Sequence, residues 1–129
     1  MAKEKDSRRK EIADAICAAG VSATVYNAGH RYANERAARA ACLHAIIDDI
    51  RAGQETLLVI EQDDSLLSWD KRTLIELVRA AGYRETVTYR HLQAKSELLL
   101  SVPDAIAWCW ARGGSWRERI SEVTTVREV

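Results

Sequence analysis

The chain has 129 residues, enough for one domain that buries roughly two thirds of the surface its unfolded form exposes. Its 19 basic and 19 acidic residues cancel, so it lacks the overall positive field of avid nucleic-acid-binding proteins, and any such binding must be local. No apolar run approaches the roughly 20 residues that span a bilayer, no signal-peptide pattern opens the chain, and the cysteines form no C-x-x-C pair, which together favour a cytoplasmic location.

The first half of the chain alternates between helical and strand patterns. Apolar residues at three- and four-residue spacing predict a first helix, capped by Ser7 and ended by Gly20. The alternating stretch "VSATVYNAG" then predicts a strand. A long amphipathic helix is predicted from about Ala33 to Ala52, with Gly53 as its stop.

The second half continues this alternation. The run "TLLVIEQ" is typical of a strand buried on both faces. Asp70 or Ser68 is positioned to cap the next helix, which Gly82 ends. In "TVTYRHLQ" the alternation predicts a third strand with Val87, Tyr89 and His91 on one side.

Asp104 is the only acid in the apolar stretch "LLSVPDAIAWCWARGG", which predicts the last helix. Ser101 and Asp104 fit the S-x-x-[DE] capping box, with Pro103 in the first turn, so the carboxylate satisfies helix amides in one interpretation. In the other interpretation the Asp104 carboxylate takes part in catalysis. The pattern alone favours capping.

The order of elements predicts an α/β domain over residues 1–129, with three mainly parallel strands and four helices. No helix or strand is predicted for residues 1–6 and 121–129, and these residues are expected to be flexible. A sheet this small leaves both edges open, and an open edge offers unpaired backbone groups to a partner. A homo-oligomer or a partner subunit covering that edge is therefore expected.

Several acids follow the predicted strands, where ligands gather in open α/β sheets. Glu61 ends the second strand, Asp64 and Asp70 follow it, and Asp104 comes after the third. If the second and third strands are neighbours, Glu61 and Asp104 converge, and converging carboxylates suit Mg²⁺ or Mn²⁺. Each acid also has a plain structural interpretation, as a strand end, a turn residue or a cap. The three histidines show no zinc spacing, and no phosphate-loop or nucleophile-elbow motif is present.

Two longer strings carry a family resemblance: "NERAARAACLHAIIDDIRAGQETLLVIEQDDSLLSWDKRTLIELVRAAG" and "VTYRHLQAKSELLLSVPDAIAWCW". They resemble the C-terminal two thirds of small actinobacterial proteins with a ribonuclease H-like fold, part of a broad bacterial nuclease-like family. The resemblance covers roughly residues 8 to 120. The matching residues are Glu35, Arg36, Arg39, Cys42, Leu43, Glu61, Asp70, His91, Leu99, Leu100, Pro103, Asp104 and Ala105.

The resemblance implies a metal-dependent site. Glu61 and Asp104 would be its catalytic acids and metal ligands, with Asp70 and Asp64 as further metal ligands and Mg²⁺ or Mn²⁺ as the cofactor. Nucleic acid would be contacted by further residues of the match, namely Arg36, Arg39 and His91. Longer relatives begin with antiparallel strands whose first strand carries another acid, and "MAKEKDSRRKEIADAI" does not match that strand.

The leading hypothesis is a truncated ribonuclease H-like domain of nuclease ancestry, associated with Mg²⁺-dependent phosphodiester hydrolysis on nucleic acid. The missing first-strand acid argues against full catalysis. The alternative is a non-catalytic assembly or regulatory module that binds a protein partner through an open sheet edge. A third hypothesis is a small-ligand binder at the strand ends.

Overall fold

The computed structural model describes all residues, 1–129, and has helices and strands in alternation, which confirms the α/β class. In chain order the elements are α1 (Asp6–Ala18), β1 (Ala23–Asn27), α2 (Glu35–Asp48), β2 (Thr56–Glu61), α3 (Leu67–Ala81), β3 (Val87–Leu92), α4 (Ser101–Arg112), α5 (Gly114–Arg119) and β4 (Thr124–Glu128). Single 3₁₀ turns, Leu98–Leu100 and Ser121–Val123, precede α4 and β4. None of the helices is both long enough and apolar enough to cross a membrane.

The chain forms two compact units, and the single domain expected over residues 1–129 stays a prediction. Unit 1 contains Met1–Val25 and Leu98–Arg127, and unit 2 contains Tyr26–Glu97 and Glu128–Val129. Residues 121–129, which received no element from the sequence, form the second 3₁₀ turn and β4. Each unit has its own hydrophobic cluster and is described separately.

Unit 2 is built on the parallel pair of β2 and β3. Thr56 lies opposite Val87 and Glu61 opposite Leu92, so the carboxyl ends of both strands meet at one edge of the sheet. One face carries Val87, Tyr89 and His91, as the alternation predicted, and this is the more buried face of β3. Ile47 of α2 and Val78 of α3 pack with Val87 in the core of this unit.

The three-strand sheet predicted from the sequence is wrong. β2 and β3 form one two-stranded sheet, and β1 pairs with β4 in a second one. The prediction of β2 as a strand buried on both faces is also wrong, because Leu57 and Val59 are 54% and 37% exposed. The apolar core of this unit packs against one face of the pair, and the side chains of the other face remain exposed.

The helix starts also differ from the sequence prediction. Ser7 lies inside α1, whose N-cap Lys5 makes no side-chain cap bond, and Asp70 lies inside the first turn of α3. The Ser101 hydroxyl donates to the Leu98 carbonyl at 2.6 Å, and α4 begins at Ser101 without a side-chain cap. Helix α2 does have a cap, because Asn34 Oδ1 accepts from the Ala37 amide at 2.8 Å.

Unit 1 packs α1 against α4. Its buried cluster consists of Ala13, Ile16, Ala105, Ile106, Cys109 and Ile120. The Arg9 guanidinium lies 4.3 Å from the centre of the Trp108 ring, and Trp116 meets that ring edge-on at 5.1 Å. Trp108 is therefore enclosed by aromatic and cationic groups of its own unit. Gly113, with a φ of 74°, separates α4 from the short α5, which the sequence did not predict.

Candidate functional site

A buried ion pair lies below the carboxyl edge of the β2–β3 sheet. Asp70, in the first turn of α3, is fully buried. Its Oδ1 accepts from Arg39 Nε and its Oδ2 from Arg39 Nη2, both at 2.7 Å. His91 Nε2, on β3, lies 3.3 Å from the same Oδ2, and the His91 side chain is only 3% exposed. Three elements of unit 2 are thus joined through one carboxylate.

The electrostatics of this group follow from its contacts. Burial raises the pKa of Asp70, but the Arg39 hydrogen bonds and charge, aided by His91, outweigh it and leave the pKa below its usual value. The hydrogen bond to Asp70 likewise raises the pKa of Arg39, against the effect of burial. Both groups are therefore ionised at neutral pH, and the pair holds the Arg39 guanidinium in a fixed orientation.

An open cleft of about 720 Å³ lies beside this pair, and we call it the β2 cleft. It is lined by Arg39 and by the segment that ends β2, from Ile60 to Asp64. The Glu61 carboxylate is exposed and makes no hydrogen bond or ion pair. Since Asp70 neutralises Arg39, the carboxylates of Glu61, Asp63 and Asp64 leave the cleft negative.

The turn after β2 holds two of these acids in place. Asp63 Oδ1 accepts from the Ser65 hydroxyl at 2.6 Å and from the Ser65 amide at 3.0 Å. The hydroxyl bond, together with the amide bond, lowers the pKa of Asp63. Asp64 Oδ1 accepts from the Gln62 side-chain amide at 2.7 Å. Hydrogen bonds within one short turn thus fix carboxylates at the rim of the cleft.

The donor set of the β2 cleft suits a hard cation only in part. The structure has no group of three or more His, Cys, Asp or Glu side chains arranged to hold a metal ion. Mg²⁺, however, is typically held by one or two carboxylates, with waters and substrate phosphates completing its octahedron. Glu61 and Asp64 meet that smaller requirement, whereas both oxygens of Asp70 are occupied by Arg39 and His91.

The other candidate residues lie elsewhere. Glu61 belongs to unit 2 and Asp104 to unit 1, so their convergence stays a prediction. Asp104 is exposed in the first turn of α4, and its Oδ2 accepts from the N-terminal ammonium of Met1 at 3.1 Å. Arg36 is exposed in the first turn of α2 and makes no ion pair.

Sequence reasoning selected Arg39, Asp70 and His91 separately and missed that they contact one another. The signal was present in α3, where Asp70, Leu74 and Val78 recur every four residues and therefore share one helix face. An acid on an apolar stripe is expected to be buried and thus to need a cationic partner. Gln62, which lines the cleft and fixes Asp64, was also missed.

No protein-family model matches the chain, and searches of curated proteins and of solved structures find no match. A functional assignment for this chain therefore rests on the geometry of unit 2.

Proposed function

We propose that the β2 cleft binds a phosphodiester of nucleic acid through a divalent cation, in a ribonuclease H-like domain of nuclease ancestry. Glu61 and Asp64 hold the cation, Mg²⁺ or Mn²⁺, and Arg39 contacts the phosphate. Hydrolysis of the phosphodiester is the activity to which this arrangement is suited, since a cation in such a cleft stabilises charge on the reacting oxygens.

The observation that carries the proposal is the arrangement of charge around Arg39. The Arg39 Nε and Nη2 groups donate to Asp70. The Nη1 group of the same guanidinium, which lines the cleft, is therefore available to a ligand. A phosphate approaching Arg39 meets the carboxylates of Glu61, Asp63 and Asp64 and is repelled by them. A divalent cation bound to those carboxylates reverses this repulsion, which is why the proposal couples the anion to the metal.

The ribonuclease H-like part of the proposal is supported by the parallel β2–β3 pair and by the position of Glu61 at the end of β2. The resemblance also makes Asp104, in the first turn of α4, a candidate acid. Asp70 has a different role in this proposal. It positions Arg39, and it does not bind the cation.

The direct test is the binding of Mn²⁺, followed by electron paramagnetic resonance, to the wild type and to Glu61→Gln and Asp64→Asn. We expect bound Mn²⁺ in the wild type and loss of most of it in both variants. Glu55→Gln is the matched control, because Glu55 is exposed just before β2 and does not line the cleft. Wild type that binds no Mn²⁺, or a Glu55 variant that loses as much as the cleft variants, would refute the cation site.

Cleavage of labelled single-stranded, duplex and hybrid substrates with Mg²⁺ measures catalysis separately. We expect any cleavage to require metal and to be lost in Glu61→Gln. Asp104→Asn is assayed alongside because the resemblance makes Asp104 the second acid. Cleavage that persists in chelator, or in the Glu61 variant, would contradict the proposal.

A second candidate function is assembly, and the exposed face of β2 favours it. Leu57 and Val59 are neighbours on that face and are 54% and 37% exposed. Each strand of this two-stranded sheet also has an edge without a neighbouring strand in the sheet. The occupant that we propose for this face is a second copy of the chain, as in most soluble oligomers.

Sedimentation velocity of the wild type and of Leu57→Lys tests assembly. We expect a dimer that dissociates in the variant, whereas Leu98→Lys, which changes another exposed leucine, leaves the dimer intact. A wild-type monomer at all concentrations would eliminate this candidate.

A further inference from the structure

The β2 cleft continues into a groove between α3 and β3, which we call the α3–β3 groove. A hollow of about 290 Å³ is lined by Gln62, Lys71, Tyr89, Arg90, His91 and Leu92. A second hollow of about 280 Å³ is lined by Ile75, Val78, Arg79, Arg84, Val87 and Tyr89. Tyr89 lines both hollows, and Gln62 lines both the first hollow and the β2 cleft, so the three depressions are consecutive.

The charge of this groove differs from that of the chain. Lys71, Arg79, Arg84 and Arg90 line it, and no Asp or Glu does. The chain as a whole has equal numbers of basic and acidic residues. All four cations are exposed, and none of them forms an ion pair. Arg90 alternates with Tyr89 and His91 along β3, so its side chain faces the other side of the sheet. The groove is therefore a local positive field in a neutral molecule, and its cations Lys71, Arg79 and Arg84 remain available to an anionic ligand.

The spacing of these groups indicates an extended ligand. Lys71, Ile75 and Arg79 recur every four residues on α3 and form one stripe along the groove. At 1.5 Å per residue, Lys71 and Arg79 are about 12 Å apart along the helix axis. Two cations at that separation suit a chain that carries repeated negative charge better than they suit a single small anion.

Between the cations the groove is aromatic and apolar. Tyr89 is half-buried against the core of unit 2 and lines both hollows, and Ile75 is 44% exposed beside it. A tyrosine ring between two basic positions gives a base a stacking surface while the cations bind the backbone phosphates. An acidic peptide would form ion pairs with the cations, but it has no bases to stack on the Tyr89 ring.

We infer that the α3–β3 groove binds single-stranded nucleic acid and leads it to the β2 cleft. Only the second part of this inference, that the strand is led to the β2 cleft, rests on the proposed function. Binding of the strand in the groove does not depend on it. The groove itself needs no metal. Unpaired bases are required because a duplex does not expose its base faces to Tyr89.

The test measures fluorescence anisotropy of a labelled oligonucleotide of about 12 residues, within the usual site size of single-strand binding proteins. Binding to the full chain is measured in EDTA over a range of salt concentrations. The wild type is expected to bind the single strand more tightly than the matching duplex. The variant Lys71→Gln/Arg79→Gln is expected to lose about tenfold in affinity. Its salt dependence should fall by about 1.4 in log–log slope, because each phosphate neutralised on a single strand contributes about 0.7.

The matched control is Arg72→Gln/Lys95→Gln. It removes the same charge from two exposed residues that do not line the groove, and Arg72 neighbours Lys71 on α3. Retained affinity in this control and loss in the groove variant would support the inference. Equal losses in the two variants would refute the groove, because they would report net charge alone. Circular dichroism of each variant confirms that it is folded.

Four further outcomes separate the claims. Polyglutamate that displaces the oligonucleotide as effectively as an unlabelled single strand would overturn the inference in favour of an acidic protein partner. Ultraviolet crosslinking of an oligouridine probe to the peptide that carries Tyr89 would support stacking. Binding in EDTA without any Mn²⁺ site would support the groove and remove the cation from the proposed function. A Mn²⁺ site without single-strand binding would support the cation site and refute the groove.

Discussion

Asp70 is the one charged residue that the fold buries completely. Its position depends on Arg39, whose side chain is 33% exposed and contacts both carboxylate oxygens. Burying a carboxylate is costly unless it is paired and hydrogen-bonded, and removing one member of a buried pair leaves the other uncompensated. Asp70 and Arg39 are therefore coupled in stability as well as in the geometry of the cleft.

Asp70→Asn is expected to destabilise the protein by about 3 kcal/mol, the lower end of the range for a broken buried pair, because Arg39 retains access to water. Urea unfolding measures the loss. The control is Asp14→Asn, since Asp14 pairs with Arg119 at 3.0 Å but is 62% exposed. An exposed pair contributes about 0–1 kcal/mol. Similar losses in both variants would show that burial of Asp70 contributes little.

The same pair predicts a pH dependence. Burial raises the pKa of Asp70, but Arg39 and His91 together lower it by more than burial raises it. The folded-state pKa therefore lies below the unfolded value of about 3.9. A depressed carboxyl pKa stabilises the folded state fully above about pH 4, and this stabilisation is lost as the pH falls through the folded-state pKa. The stability difference between wild type and Asp70→Asn should therefore shrink as the pH falls from about pH 5 to below pH 4. Urea midpoints across this range measure it, and a difference that grows in acid would contradict the assignment.

At the scale of elements, periodicity predicted the existence of most helices and strands, and it failed where tertiary contacts decide. It identified β2 and β3 because their residue types fit strands, but it gave no information on whether β1 joins them or pairs with β4. The exposure of Leu57 and Val59 could not be read from "TLLVIEQ", because an apolar run is the same whether one face or both are covered.

The candidate site was predictable in its residue types and not in its contacts. Strand ends and acids located Glu61 and Asp64, which do lie at one cleft. The pairing of Arg39 with Asp70 spans 31 residues of sequence, and only the packing of α2 against α3 brings the two together. Long-range contacts of this kind leave no trace in local spacing, apart from the unexpected acid on the apolar face of α3.

Helix capping offers a prediction on which the sequence and the structure disagree. Asn34 caps α2 through the Ala37 amide, whereas Ser7 lies within α1 and caps nothing. Asn34→Ala is therefore expected to cost about 1 kcal/mol in thermal or urea unfolding, and Asn34→Asp should retain most of the stability. Ser7→Ala should be neutral or slightly stabilising, because alanine is the better helix former. A loss of about 1 kcal/mol in Ser7→Ala would show that the sequence-based cap is the real one.

At the scale of the molecule, charge is segregated within unit 2. The β2 cleft carries the carboxylates of Glu61, Asp63 and Asp64, and the adjoining α3–β3 groove carries cations only. Counting charges over the chain gives zero and hides both fields. The neutral composition therefore predicts neither the acidic lining of the cleft nor the basic lining of the groove, because both are local.

Each compact unit also has a core of its own, which predicts two sites of high sensitivity to substitution. Ile106 belongs to the cluster of unit 1 and Ile47 to that of unit 2, and they are 3% and 2% exposed. Ile106→Ala and Ile47→Ala should each cost about 2–5 kcal/mol through lost burial and a cavity, whereas Ile75→Ala, at 44% exposure, should cost far less. Hydrogen exchange resolves where protection is lost, and we expect the amides of the substituted unit to open more readily. If Ile47→Ala and Ile75→Ala had the same small effect, the cluster of Ile47, Val78 and Val87 would not be what stabilises the sheet that carries the cleft and the groove.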